Sequence, residues 1–217
     1  VILGIISILV AVQPDIGTLG VIAAISIAIY FVAGASISHL FLICLAGTVA
    51  LFTLVKTASY RMDRFWAFIN PEIDPQGISY QINQALIAIG AGGFWGLGYG
   101  YGQQKIFYLP EVIGDSIFAI IAEELGFIGG VIIIFLFILL AIRGFTIAKN
   151  APNKFAELTA FGITFWIIFQ AFVNIASISG IVPMTGIPLP FISYGGTSLA
   201  FSLLGMGVLL NISKYTV

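Results

Sequence analysis

Long apolar segments with almost no charge dominate this sequence of 217 residues. Residues 1–55 contain a single charged side chain, Asp15, and residues 158–213 contain none. Only 8% of all residues are charged and 60% are hydrophobic, whereas soluble domains carry about 25% charged residues. So few charges cannot cover the surface of a water-soluble domain, and the high hydrophobicity excludes a disordered chain. The sequence therefore predicts a protein that lies largely in the lipid bilayer.

Five segments are long and apolar enough to be spanning helices, which need about 20 such residues. They cover residues 17–33, 39–56, 116–143, 155–179 and 196–213. Residues 1–12 are apolar but short, and they lack the basic start and cleavage site of a signal peptide, so we interpret them as the end of a further span in a longer protein. The predicted fold is all-α: a single membrane domain built as a polytopic transmembrane helix bundle.

The basic residues of the short loops predict the orientation, because Lys and Arg concentrate on the cytoplasmic side of a membrane protein. Arg143, Lys149 and Lys154 lie between two consecutive spans, and Lys214 follows the last span, so all four share one face. We assign that face to the cytoplasm. The long loop of residues 57–115 is then extracytoplasmic.

This outer loop has structural signals of its own. Residues 59–69 combine arginines with aromatic side chains, as helices in the headgroup zone do. Residues 80–89 predict a short apolar helix. Residues 90–102, here called the glycine-rich segment, contain seven glycines with aromatic residues between them and predict a close-packed bend at the membrane surface. We therefore expect the loop to be partly helical.

Composition also excludes several classes of site. A net charge of −1 argues against a nucleic-acid partner, which would need a basic surface. Cys44 is the one cysteine and His39 the one histidine of the chain. An internal disulfide and a structural zinc cluster are both excluded by these counts.

Asp115 is the candidate catalytic residue, at the start of the predicted helix 116–143. It fits two compatible interpretations, a helix N-cap and a general base at the outer membrane surface. Glu123 and Glu124 lie further along that helix, where acids are costly and mark either a functional site or an internal pair with Arg, Lys or a backbone donor. Adjacent helical side chains point about 100° apart, so we expect the two acids not to serve one site.

Cationic side chains of the outer loop are candidates to bind a phosphate or pyrophosphate group, for which Arg geometry is well suited. These residues are Arg61, Arg64 and Lys105, and Glu111 is an acid that can pair with one of them. A solvated surface or a contact with lipid headgroups is the alternative interpretation.

The link between the last two spans cannot be a continuous helix. It is interrupted by Pro188, Pro190, Gly195 and Gly196. Irregular backbone at membrane depth is tolerated where it lines a cavity or is buried in protein. The link therefore predicts a structural re-entrant turn or a direct substrate contact, the latter through Ser193. Gln170 and Asn174 of the preceding span are expected to form interhelical hydrogen bonds.

Several stretches form a combined pattern that covers nearly the whole chain. They are QPDIGT at 13–18, RMDRFWAFINPEIDPQGISYQ at 61–81, QKIFYLPE at 104–111, DSIFAIIAEELGFIGG at 115–130 and PLPFISYGGTS at 188–198. In this order they resemble the SEDS family (shape, elongation, division and sporulation), whose members include FtsW, RodA and SpoVE. The resemblance implies a ten-span glycosyltransferase of the bacterial cytoplasmic membrane that polymerises lipid II, and this chain would be its C-terminal part.

The resemblance also assigns roles to residues and partners. The essential aspartate of the family maps onto Asp115. Family members work with a class B penicillin-binding protein, a transpeptidase, among other division or elongation proteins of the membrane. The family commonly has His and Thr where this chain has Ile113 and Gly114, and Phe where it has Ser116. Hydrogen bonds that would orient Asp115 from those two preceding positions are therefore lost here.

The implied reaction is a single displacement in which Asp115 deprotonates a sugar hydroxyl and a lipid pyrophosphate leaves. Its charge would be balanced by Arg61, Arg64 and Lys105 or by a divalent cation, Mg or Mn, although no metal-ligand spacing occurs in the sequence. A lipid-linked precursor flippase is the alternative, since broken helices and intramembrane acids also suit a transporter. A third interpretation is a non-catalytic scaffold of the cell-wall machinery.

Overall fold

Helices are the only regular secondary structure in the residues that its structure, a computed structural model, describes. These are residues 15–56, 79–107, 109–110 and 113–216, together with 4, 6, 7, 9, 10, 13, 62, 66 and 68–70. The predicted all-α class is confirmed there. The helices of ranges 15–56 and 79–216 are α1 (Ile16–Val32), α2 (Ile37–Lys56), α3 (Tyr80–Gly92), α4 (Gln104–Phe107), α5 (Ile117–Lys149), α6 (Lys154–Ile178) and α7 (Gly196–Ser213).

The helices α1, α2, α5, α6 and α7 coincide with the predicted apolar segments. The start of α1 is fixed by Asp15, whose carboxylate accepts a hydrogen bond from the N–H of Thr18 at 2.9 Å, a typical N-cap. The prediction that α5 ends at Arg143 was wrong, because the helix continues to Lys149. Gly144 lies inside the helix. It packs against Thr164 of α6, where the absence of a Cβ allows the two helices to approach closely.

Three helices, α5, α6 and α7, are long and apolar enough to cross a membrane by length and composition. Two further apolar helices, covering residues 17–32 and 37–50 of the described chain, are shorter than this limit. Many large apolar side chains of α5 are exposed, among them Phe135 and Leu136. Such an apolar surface suits lipid rather than water.

Contacts divide the chain into two compact units. The first comprises Val1–Gly34, Ile132–Asn174 and Thr185–Val217. It therefore contains α1, the second part of α5, most of α6, and all of α7. Ala148, Ala160 and Leu209 are buried together in it. Small residues allow helices to approach closely in a membrane. Gly162 shows this, since a Cβ there would lie 2.8 Å from the side chain of Ile29.

The second unit comprises Ala35–Val131 and Ile175–Met184. It contains α2, α3, α4 and the first part of α5. One face of α3 is buried at helical spacing by Ile82, Ala85, Ala88 and Gly92. A Cβ on Gly92 would overlap the backbone carbonyl of Ala122 in α5. Glycine is therefore required for the approach of α3 to α5, and this approach positions the candidate site.

Candidate active site

Asp115 lies in the turn of residues 113–116 that leads into α5. The helix begins at Ile117, so the predicted start at Ser116 was one residue early and Ser116 takes the position directly before the helix. Serine is itself a favoured residue type there. The Asp115 side chain is half-buried, whereas Ser116 is fully buried. A carboxylate at this position can reach a ligand and is also held by protein groups.

Gln81, in the first turn of α3, contacts the Asp115 carboxylate. Its Nε2 donates to Asp115 Oδ1 at 3.2 Å and approaches Oδ2 at 3.4 Å. The same nitrogen lies 3.2 Å from Ser116 Oγ, and that hydroxyl lies 3.3 Å from Asp115 Oδ1. Sequence reasoning missed Gln81, because nothing in a single sequence pairs a glutamine with an aspartate 34 positions later.

The helix α5 is not continuous, contrary to the sequence prediction. It kinks at Gly126, whose φ of +69° and ψ of −166° are not helical. The carbonyls of Glu123 and Glu124, just before the kink, accept hydrogen bonds from the N–H groups of Leu97 and Gly98 at 3.0 Å each. Beyond the kink, N–H groups donate to the carbonyls of the glycine-rich segment in return: Phe127 to Gly93 at 2.9 Å and Ile128 to Phe94 at 3.4 Å.

These hydrogen bonds between α5 and the glycine-rich segment explain how a kinked helix is tolerated in a membrane protein. Each backbone group freed by the kink must find a partner in the protein, because lipid offers none. The glycine-rich segment supplies those partners by running against the helix backbone. A Cβ on Gly96 would overlap the carbonyl of Glu124, and its φ of +81° also favours glycine. The predicted close-packed bend therefore packs against α5.

Glu123 and Glu124 both hold the end of the glycine-rich segment and the residues that follow it. The Glu123 side chain is only 1% exposed, and its Oε1 accepts hydrogen bonds from the N–H groups of Gln103 at 2.9 Å and Gln104 at 3.2 Å. Glu124 forms an ion pair with Lys105, the residue that comes next. The predicted internal pairing of these acids is present.

The two acids contact the same short stretch of chain, although neighbouring side chains on a helix point about 100° apart. The chain of residues 102–105 runs across α5, so its backbone meets Glu123 while the Lys105 side chain meets Glu124. Because this stretch of chain crosses the helix, it can reach two neighbouring side chains that point in different directions. Gly102 permits it, because a Cβ there would lie 2.8 Å from Glu123 Oε2. Lys105, predicted to bind an anionic substrate, is thus engaged by Glu124.

The link between α6 and α7 is held by side chains of α6. Gln170 Nε2 donates to the carbonyl of Pro188 at 2.9 Å, and the buried Asn174 Nδ2 donates to that of Ile187 at 2.7 Å. Both amides thus donate to the backbone of the link, whereas the sequence predicted hydrogen bonds between helices for them. The link is not helical at these two residues, so their carbonyls have no helical donor, and the α6 amides take its place.

The link also forms hydrogen bonds within itself. Ser193 is buried, and its Oγ accepts from the N–H of Leu189 at 2.7 Å, while the N–H of Ser193 donates to the Leu189 carbonyl at 3.0 Å. Phe191 takes a positive φ of +66° inside this tight turn. Pro190 is buried, and α7 begins at Gly196, directly after Gly195. These contacts hold Ser193 within a tight turn of the link.

Three candidate residues, Arg61, Arg64 and Glu111, lie outside the described residues. In the described part of the chain, no group of three or more His, Cys, Asp and Glu side chains is placed to hold a metal ion. The structure thus brings Gln81, Asp115 and Ser116 together before α5. It gathers Glu123, Glu124 and Lys105 about two helical turns further along.

Comparison with known proteins identifies the family of this chain. The family described as cell cycle protein, FtsW, RodA and SpoVE, matches residues 1–217. The chain is 48% identical over 204 residues to the stage V sporulation protein E of Bacillus subtilis, covering 94% of this chain and 56% of that protein. It is 47% identical over 204 residues to a probable peptidoglycan glycosyltransferase FtsW of Trichlorobacter lovleyi, covering 93% and 53%.

Solved structures give the same result. A chain of a peptidoglycan synthase complex, described as coordinating polymerization and crosslinking, is 29% identical, with a TM-score of 0.77 over 96% of this chain and 58% of that one. The rod shape determining protein RodA of Thermus thermophilus is 28% identical, with a TM-score of 0.61 over 98% and 55%. The chain spans about half the length of the curated relatives it matches. It is a membrane protein, and it belongs to the FtsW, RodA and SpoVE family.

Proposed function

We propose that the protein containing this chain is a peptidoglycan glycosyltransferase that polymerises lipid II, with Asp115 as its general base. Family membership and the relatives named peptidoglycan glycosyltransferase support the reaction class. The placement of the Asp115 carboxylate carries the assignment of the base. It is half-buried, lies at a helix entrance, and accepts hydrogen bonds from the side chains of Gln81 and Ser116.

The proposed step is one displacement. The 4-hydroxyl oxygen of one lipid-linked saccharide attacks the anomeric carbon of another, and its proton moves to Asp115. The bond from that carbon to the lipid pyrophosphate breaks, and the bonding electrons leave with the pyrophosphate. A positioned general base contributes about 10²–10⁴-fold to such a proton transfer.

The charge of the leaving pyrophosphate requires a cation. Arg61 and Arg64 stay candidates for this role. Lys105 would first have to leave the carboxylate of Glu124. A Mg or Mn ion that arrives with the pyrophosphate would supply the same electrostatic stabilisation, and the described residues hold no three-ligand cluster for a resident metal ion.

We also propose that the site faces outward from the bacterial cytoplasmic membrane, since the basic short loops mark the opposite face. A class B penicillin-binding protein is the proposed partner. The similarity to a chain from a complex described as coordinating polymerization and crosslinking supports a transpeptidase in that role. Other division or elongation proteins of the membrane are further proposed partners.

The test is glycan-strand synthesis from purified lipid II in detergent, using the full-length protein with and without its transpeptidase. We expect Asp115→Asn to lower polymerisation by about 10²-fold or more while the folded fraction is unchanged. Asp15→Asn is the matched control, because Asp15 caps α1 and asparagine caps equally well. Near-normal synthesis by Asp115→Asn would refute the assignment and favour a flippase or a scaffold.

A further inference from the structure

We propose that Gln81 is the positioning residue for Asp115, acting from α3 to fix the orientation of the carboxylate that removes the proton. This inference rests on the proposed glycosyl transfer. It concerns a residue on a different element from the catalytic turn. Neither Ile113 nor Gly114, the two residues before Asp115, has a side-chain hydrogen-bond donor. The donor must therefore come from elsewhere in the fold.

The hydrogen-bond geometry fits this role. Gln81 Nε2 lies 3.2 Å from Oδ1 and 3.4 Å from Oδ2 of Asp115, so one amide nitrogen faces both oxygens of the carboxylate. Nε2 carries two N–H donors, whereas an ionised carboxylate only accepts. The opposite amide orientation would set an acceptor against two acceptors. The chemistry thus requires the nitrogen to point toward Asp115.

Ser116 completes a closed arrangement of three side chains. Its Oγ accepts from Gln81 Nε2 at 3.2 Å and donates to Asp115 Oδ1 at 3.3 Å. Its hydroxyl is fully buried, so water does not compete for it. A carboxylate has about four acceptor sites. Gln81 and Ser116 both contact Oδ1 of Asp115.

The position of Gln81 is fixed by the packing of α3. Ser79, at the start of that helix, is 1% exposed, and Ile82 beside Gln81 is buried. At the other end of α3, Gly92 approaches the backbone of Ala122 without room for a Cβ. The helix is therefore attached to the beginning of α5 at both ends. A rigid helix of this kind can hold a catalytic group to the tolerance that proton transfer needs.

The test uses the full-length protein with its transpeptidase and measures kcat and KM separately. Gln81→Met keeps the side-chain length but cannot donate, and we expect kcat to fall about 10–100-fold while KM stays within about twofold. Gln81→Glu places a carboxylate opposite Asp115 and is expected to lower kcat at least as much. Gln84→Met is the matched control on the same helix, since the side chain of Gln84 makes no hydrogen bond within the described residues.

The outcomes separate this inference from the proposed function. A fall in kcat for both Gln81 variants, with melting temperatures equal to that of Gln84→Met, supports positioning. If Asp115→Asn is inactive but Gln81→Met and Gln81→Glu keep the parental kcat, the positioning role is refuted and the function stands. A loss explained entirely by a lower folded fraction or a raised KM also refutes it. Normal synthesis by Asp115→Asn would instead refute the function.

Discussion

The Glu123 side chain is expected to anchor the residues that follow the glycine-rich segment against α5. Its buried carboxylate accepts the N–H groups of Gln103 and Gln104, and hydrogen bonds to a charged group contribute about 1.5–3 kcal/mol each. Glu123→Ala removes both and should lower the free energy of unfolding by about 3–6 kcal/mol. Glu123→Gln keeps one neutral acceptor and should cost about 2–3 kcal/mol.

The assay is equilibrium unfolding of the full-length protein in mixed micelles, combined with amide hydrogen exchange. The exchange of the Gln103 and Gln104 amides should accelerate in both variants, by about 100-fold for a local loss of about 3 kcal/mol. Glu157→Gln is the control, because Glu157 pairs with Lys154 at 2.9 Å on the exposed end of α6. A surface pair of that kind contributes about 0–1 kcal/mol.

Two results would refute the reasoning about Glu123. One is a Glu123→Ala protein whose stability and amide exchange match those of Glu157→Gln. The other is a loss of stability without faster exchange at Gln103 and Gln104, because the carboxylate would then stabilise a part of the protein other than these two residues.

Two further predictions concern helix contacts in each unit. Gly92→Ala should lower the free energy of unfolding by about 1–3 kcal/mol, since its Cβ meets the backbone of Ala122, whereas Gly90→Ala has open space and should be neutral or stabilising by up to about 1 kcal/mol. Equal melting temperatures for these two variants would contradict the close approach. Asn174→Ala removes the buried donor to the carbonyl of Ile187 and should cost about 1–3 kcal/mol. A parental melting temperature for Asn174→Ala would show that the link is held without this amide.

Much of the fold was predictable because the lipid imposes a simple rule on sequence. Apolar segments of sufficient length become helices, since helices satisfy their own backbone groups. The bounds of α6 and α7 follow almost directly from this rule, and Asp15 marks the start of α1 as a capping residue. The kink of α5 was not predictable in the same way. Gly126 lies in an uninterrupted apolar segment, and its conformation depends on a partner segment about thirty residues earlier in the chain.

The candidate site also has parts that the sequence predicts and parts that it does not. Asp115, Glu123 and Glu124 were identifiable from the sequence because charges are rare and costly near the bilayer. Their partners were not identifiable. Ser193 was predicted as a possible substrate contact, yet its hydroxyl is engaged by the backbone of its own turn. Such roles depend on hydrogen-bond directions, which hydropathy does not encode.

The sequence alone determined that this protein is a helical membrane protein, and it identified Asp115 as the candidate catalytic carboxylate. Composition and charge position are local properties, and the bilayer converts them into structure without reference to distant residues. Only the tertiary structure decided that Gln81 faces Asp115, that Lys105 pairs with Glu124, and that the glycine-rich segment completes the broken backbone of α5. These are contacts between segments far apart in the chain, and they are fixed by the close approach of packed helices.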